Sequence, residues 1–127
     1  MKIVIVGCGK IGKSLIASLV KEGHEVVAVD KSEQKVADVI NMFDVIGVCG
    51  IGTDAVTLTE AGADKADIFV AVTGSDEMNM LSCFWIVLEY RLITGYLMGF
   101  QAGIWWEVVM KKATLQKMTS HLCVCRL

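Results

Sequence analysis

The residues best suited to chemistry lie near the start of the chain, in the run Gly7-Cys8-Gly9-Lys10-Ile11-Gly12. A G-x-G-x-x-G pattern alone is weak, because glycines are common in turns. Here it directly follows the apolar strand pattern of residues 3–6 and opens an amphipathic helix pattern over residues 11–21. A second strand pattern then ends in Asp30, 18 residues beyond Gly12. That is the context the pattern needs to cradle a pyrophosphate. Gly7 permits the tight strand-to-helix turn, Gly9 lets backbone approach a phosphate, and Gly12 lets the helix pack on the strand. The free N–H groups and positive dipole end of the helix then face the anion.

Asp30 sits where a carboxylate accepts hydrogen bonds from both hydroxyls of an adenosine ribose. Its charge repels a 2′-phosphate, which favours NAD(H) over NADP(H), and the adjacent Lys31 softens that repulsion. Cys8 offers its backbone in this scheme, and Lys10 is a solvated or phosphate-facing side chain rather than a catalytic base. The bland alternative is a packing turn beside a solvated strand end. Two further loops follow strand patterns: Gly50-Ile51-Gly52-Thr53-Asp54 and Thr73-Gly74-Ser75-Asp76. Ligands on open parallel sheets cross the carboxyl ends of the strands, so these loops are the next candidates. Gly50 and Gly52 would let backbone approach the adenine and its ribose, and Thr73 and Ser75 could hydrogen-bond to the phosphates or the distal nucleoside. Thr53-Asp54 and Ser75-Asp76 are equally ordinary helix caps.

The elements that must position these residues alternate between strand and helix signals. Strands are expected at residues 3–6, Glu25–Asp30, 45–49 and 68–72. Helices are expected over residues 11–21, after Ser32 with Val36, Val39, Ile40 and Phe43 inward, and from Thr53 or Asp54 to Gly62 with Val56, Leu58 and Ala61 inward. A last helix starts near Asp76 and carries Met78, Met80, Leu81 and Phe84, with Met78 and Met80 as core filler. The order βαβαβαβα implies an α/β fold, a Rossmann-like doubly wound parallel sheet with right-handed crossovers.

The 127 residues suffice for one core; 54% are apolar and 20% charged, which excludes a disordered chain. A net charge of −2 supplies no basic field for nucleic acid. No secretory signal is visible, and five cysteines, an odd count, fit a reducing cytoplasm. His121 with Cys123-x-Cys125 lacks a second ligand pair, so no metal site is expected there.

Composition shifts near residue 83. Residues 1–83 hold 7 basic and 12 acidic side chains, a net of −5, whereas residues 84–127 hold 5 basic and 2 acidic, a net of +3. Seven of the nine aromatics, including Trp85, Trp105 and Trp106, lie in the second part.

Two stretches, KIVIVGCGKIGKSLIASLVKEGHEVVAVDKS and GIGTDAVTLTEAGADKADIFVAVTGSDEMNML, resemble the nucleotide-binding regulatory domain of Trk-type potassium uptake systems, the RCK or KTN domain. The resemblance covers residues 1 to about 83, and its second block is the more specific. It implies a cytoplasmic regulatory subunit on the inner face of the membrane, beneath a membrane-spanning potassium transporter subunit. That subunit would sense NAD(H), or in relatives ATP and ADP, and would form homo-oligomers where the pairing surface is intact. The family's dinucleotide contacts map onto Gly7, Cys8, Gly9, Lys10 and Ile11, then Asp30, Ile51-Gly52 and Thr73-Gly74. Ligand binding then regulates without turnover, and no catalytic residues are expected. Tyr90 and Tyr96 lack the lysine four residues on that a Tyr-x-x-x-Lys acid requires. The rival reading is the cofactor half of an NAD-dependent dehydrogenase.

After Cys83 the chain departs from the family, with no recognisable strand carrying a ligand-facing arginine. Residues 84–127 are expected to be an atypical apolar tail, mainly helical. Three origins stand open: out-of-frame translation, a divergent ending that covers the sheet edge, or a membrane-seeking segment at residues 92–106. The last is shorter than the ~20 residues a spanning helix needs.

Overall fold

The computed structural model describes the backbone of residues 1–97 and 123–126, and the side chains through residue 86. Strand β1 (Lys2–Val6) leads into helix α1 (Lys10–Lys21), followed by β2 (Glu25–Asp30), α2 (Glu33–Met42), β3 (Ile46–Cys49) and α3 (Ala55–Glu60). A 3-10 turn at Ala63–Lys65 precedes β4 (Ile68–Ala71), then α4 (Asp76–Leu97) and β5 (Cys123–Arg126). The sheet order is β3-β2-β1-β4-β5. The first four strands are parallel, and β5 runs antiparallel beside β4, with Ala71 opposite Cys123 and Ile68 opposite Arg126.

The continuous apolar runs form strands because both faces of the sheet are covered. Ile3, Ile5, Val26 and Ala28 join one core with Ile16 of α1 and Val39 of α2. Their neighbours in sequence, Val4, Val6, Val27 and Val29, join the other with Leu58 of α3 and Cys83 and Ile86 of α4. Period-two alternation thus feeds two cores at once. Each fully buried branched or aromatic side chain, such as Ile16 or Phe69, contributes about 1.5–3 kcal/mol.

The chain winds outward from β1 through β2 to β3, then returns to lay β4 on the other side of β1. Loops leaving β1 and β4 therefore part in opposite directions, and a crevice opens at the carboxyl ends of the strands, the switch point of such sheets.

Three expectations need correction. In α3, Val56 is 73% exposed, and Thr57 takes the buried place beside Leu58. In α2, Val36 and Val39 are buried as expected, while Ile40 is 45% exposed. In α4 the inward residues are Asn79, Ser82, Cys83 and Ile86, whereas Met80, Leu81 and Phe84 are about half exposed. The reason is helical phase: positions 79, 82, 83 and 86 share one face, and internal hydrogen bonds make two polar residues tolerable on it. The Ser82 hydroxyl donates to the Met78 carbonyl at 2.8 Å.

The helical expectation for the later residues holds as far as Leu97, and the anticipated boundary after residue 83 falls within α4. It fails at Cys123–Arg126, where the chain pairs with the otherwise open edge of β4. An unpaired strand edge is a standing template for another strand, and β5 occupies this one. Residues 98–122, which include Trp105, Trp106, His121 and most of the apolar stretch 92–106, lie outside the described residues, as do the side chains of Tyr90, Tyr96, Cys123 and Cys125. Among the described residues, no helix is long and apolar enough to cross a membrane, and no cluster of ligating side chains could hold a metal ion.

Candidate functional site

Four strand ends, Val6, Asp30, Cys49 and Ala71, lie along one edge of the sheet, and the loops that follow them enclose a cleft of about 230 Å³. Gly7, Asp30, Lys31, Ile51, Gly52, Thr73 and Gly74, all anticipated as site residues, line it together. So do Gly50 and Ser75 from the same two loops, with Val6, Lys35 and Met78. Cys8, Gly9, Lys10, Ile11 and Gly12 are not among its lining residues.

The glycine loop is built as its residue types require. Gly7 has φ +108°, a left-handed value that disfavours side chains, and a Cβ there would sit 2.7 Å from the Val72 carbonyl oxygen. Its N–H donates to the Val29 carbonyl at 2.7 Å, tying the turn to β2. A Cβ on Gly12 would collide with the Gly7 carbonyl, so that glycine seats α1 against the turn. Gly9 differs, because nothing lies within 4 Å of where its Cβ would be. The N-terminus of α1 also carries no side-chain cap and no acidic residue in its first turn. Its first N–H groups thus have no side-chain cap, an arrangement that with the helix dipole suits a phosphate.

Asp30 is 9% exposed. Its Oδ2 accepts the Cys8 N–H at 2.8 Å and its Oδ1 accepts the Ser32 N–H at 2.9 Å. The carboxylate therefore latches the glycine loop to the end of β2. Each oxygen keeps a second acceptor position, so two hydroxyls can still be received. Ser32, the residue before α2, makes no side-chain cap and serves Asp30 through its backbone.

Cys8 is 1% exposed, with its sulfur 3.9 Å from the Val29 carbonyl. Burial, and then the charge of Asp30, push its thiol up to about 11. It stays protonated at neutral pH and is no nucleophile. Lys10 is exposed and Ile11 is 51% exposed. Both first-turn side chains of α1 point to solvent, so backbone, not side chain, is what this turn offers a ligand.

The loop after β3 holds its glycines for a different reason. A Cβ on Gly50 would strike the Thr57 side chain, and one on Gly52 would strike Val6. Both close-packed positions serve the protein's own core. Asp54 caps α3, accepting from the Thr57 N–H at 3.0 Å and the Thr57 hydroxyl at 2.9 Å, and these bonds hold its carboxyl below the usual range.

After β4 the Thr73 hydroxyl, anticipated as a ligand donor, turns inward. It donates to Asn79 Oδ1 at 2.7 Å, and the Thr73 N–H donates to the same oxygen at 2.7 Å. Ser75 caps α4: its Oγ accepts the Met78 N–H at 3.3 Å and donates to Glu77 at 2.7 Å. Gly74 is left with open space where a Cβ would stand. Sequence reasoning missed Lys35, Met78 and Asn79. Lys35 lies in the first turn of α2, four residues after Lys31, which precedes the helix.

Comparison with known proteins follows this geometry. The TrkA-N domain family profile matches residues 3–90. A Trk system potassium uptake protein TrkA homolog of Methanothermobacter thermautotrophicus is 42% identical over 92 residues, covering 72% of this chain and 42% of that relative. The Trk system potassium uptake protein TrkA of Streptomyces coelicolor is 38% identical over 82 residues, covering 65% of this chain and 37% of the relative. Its counterpart in Vibrio alginolyticus is 39% identical over 83 residues, 65% of this chain and 18% of the relative. The chain thus spans less than half the length of these relatives. Among solved structures, an engineered reductase superposes with a TM-score of 0.50 at 18% identity, over 72% of this chain and 32% of that one, a likeness of fold alone.

Proposed function

The chain belongs to the TrkA-N domain family, and on that premise we propose that it is the NAD(H)-binding part of a regulatory subunit of potassium uptake. The observation that carries this reading is the uncapped N-terminus of α1, with open space at Gly9, beside a carboxylate that retains two acceptor positions. The pyrophosphate would lie on the first-turn N–H groups after Gly9, and Asp30 would receive the adenosine ribose hydroxyls. Gly50, Ile51 and Gly52 would border the adenine, and Gly74 the distal nucleoside. A cleft of about 230 Å³ is smaller than the ~300–1,000 Å³ of enclosing ligand pockets, so a dinucleotide would extend beyond it along the open sheet edge. ATP and ADP share the adenosine and phosphate chemistry and would compete for the same place.

A nucleotide regulates only by binding one conformation better than another. The site spans loops from both sides of the switch point, so a bound dinucleotide would link α1 to the β4–α4 segment and favour the arrangement in which both contacts are made. Cys8 is protonated and Lys10 solvent-facing, which supports binding without turnover. The partner would be a membrane-spanning subunit of a potassium uptake system, with this chain at the cytoplasmic membrane face.

The test is calorimetric titration of the purified chain with NADH, NAD and ATP, alongside Asp30→Ala and Gly9→Val. Saturable binding that both variants lose, with no oxidation of NADH across a panel of carbonyl substrates, is the expected result. A chain folded by circular dichroism that binds none of the three nucleotides would sink the reading, and turnover would favour the dehydrogenase fragment.

A further inference from the structure

Asn79 is 2% exposed, on the sheet-facing side of α4, and its side chain is spent entirely on one residue. Oδ1 accepts both the N–H and the hydroxyl of Thr73 at 2.7 Å, and Nδ2 donates to the Thr73 carbonyl at 3.3 Å. The N–H, carbonyl and hydroxyl of Thr73 thereby all meet one amide, and the hydroxyl also lies 3.1 Å from the Ser75 carbonyl. The Ser75 N–H donates back to the Thr73 hydroxyl at 3.3 Å, which closes the turn. With the Thr73 hydroxyl held by Asn79 and the Ser75 hydroxyl spent on the Met78 N–H and Glu77, the residue the loop presents without a side chain is Gly74, where a Cβ would meet nothing within 4 Å.

The sheet order places this loop across β1 from β2 and β3. For a ligand held by Asp30 and the glycine loop, Gly74 lies on the far side of that loop from Asp30, where the part extending past the phosphates would run. Resting on the NAD(H) reading above, we propose that Asn79 is the positioning residue for the distal half of the dinucleotide, through its hold on the Thr73-Gly74-Ser75 turn. It contacts no ligand itself. Its effect is to keep the Gly74 backbone aimed into the cleft and to join that contact rigidly to α4, so that the chain distinguishes a dinucleotide from a mononucleotide.

The experiment is titration of the full chain, Asn79→Ala and Asn79→Asp with NADH and, separately, with ADP, which ends at the glycine loop. Removing the amide frees three polar groups of Thr73, and NADH should weaken about tenfold in Asn79→Ala. ADP affinity should stay within about twofold, because Asp30 and the start of α1 would hold it without the Gly74 backbone. Asn79→Asp keeps the acceptor for the Thr73 N–H and hydroxyl and should lose less, with the same NADH-selective pattern. That variant carries the test if the alanine chain does not fold. Equal losses for NADH and ADP, or an unchanged NADH affinity, would overturn the assignment. Failure of the unaltered chain to bind either nucleotide overturns instead the reading beneath it, and the assignment falls with it.

Discussion

Two glycine-rich loops leave the same edge of the sheet, one after β1 and one after β3, and they use glycine for opposite ends. In the first, Gly9 has open space around its missing side chain and the following helix is left uncapped. In the second, Gly50 and Gly52 make room for Thr57 and Val6, and Asp54 caps the helix from within. The first loop leaves donors for something outside the protein; the second satisfies its own. Their cysteines divide the same way: Cys8 is buried under the first loop, and Cys49 is exposed just before the second. The pattern of glycines is similar in sequence, and only the surroundings separate an anion cradle from a packing turn.

Substitutions can break or sharpen this contrast. The largest effect should come from Gly12→Ala, whose Cβ falls on the Gly7 carbonyl. Backbone cannot yield cheaply, so a loss of about 3 kcal/mol in denaturant unfolding is expected, with nucleotide binding lost too. Stability unchanged by that variant would mean the turn is not tightly seated. Gly9→Val should separate the two properties: unfolding free energy within about 0.5 kcal/mol of the parent, but NADH affinity down about tenfold or more from a blocked phosphate approach. Gly52→Ala should act on the fold. Its Cβ presses on Val6 and should cost about 1 kcal/mol in denaturant unfolding, a loss that Gly9→Val should not show.

Smaller effects follow from the caps and thiols. The Asp54 carboxyl is lowered by its bonds from Thr57, so its contribution to stability is complete above the ordinary carboxylate value of 3.8 and fades as pH falls through the lower folded-state value. Melting curves of Asp54→Ala should therefore lie below the parent at neutral pH and converge with it in acid, without loss of nucleotide affinity. Among Cys8, Cys49 and Cys83, iodoacetamide on the folded chain should label Cys49 and spare Cys8, whose thiol ionises only as pH approaches 11. Peptide mapping by mass spectrometry checks this, and rapid labelling of Cys8 would show that the glycine loop opens.

Much of the fold was legible because its causes are local. Apolar runs such as that of β1 need cover on both faces, and the helical stripe of α1 followed by Gly23 marks where a helix ends. The phase of α4 was not legible. Its inward face carries Asn79 and Ser82, its outward face Met80, Leu81 and Phe84, so hydropathy pointed the wrong way. Asn79 is affordable inside only because Thr73, on a loop six residues earlier, meets all its hydrogen-bonding groups. Strand β5 was equally hidden, since four residues carry little local signal and their pairing depends on the free edge of β4. At the site, the glycine loop and Asp30 could be named from spacing alone, but Lys35 and Met78 enter the cleft through the placement of α2 and α4.

The sequence by itself determined the strand and helix order, the turn at Gly7 and the carboxylate at the end of β2, because backbone sterics and hydrophobic period act over a few residues. Only the tertiary structure decided which glycines face open space and which face Thr57 or Val6. It alone decided that Asp30, expected to receive the ribose hydroxyls, also latches the glycine loop, and that Thr73 answers to Asn79. Those outcomes depend on which distant groups arrive within about 3 Å of each other, a distance that no local pattern encodes.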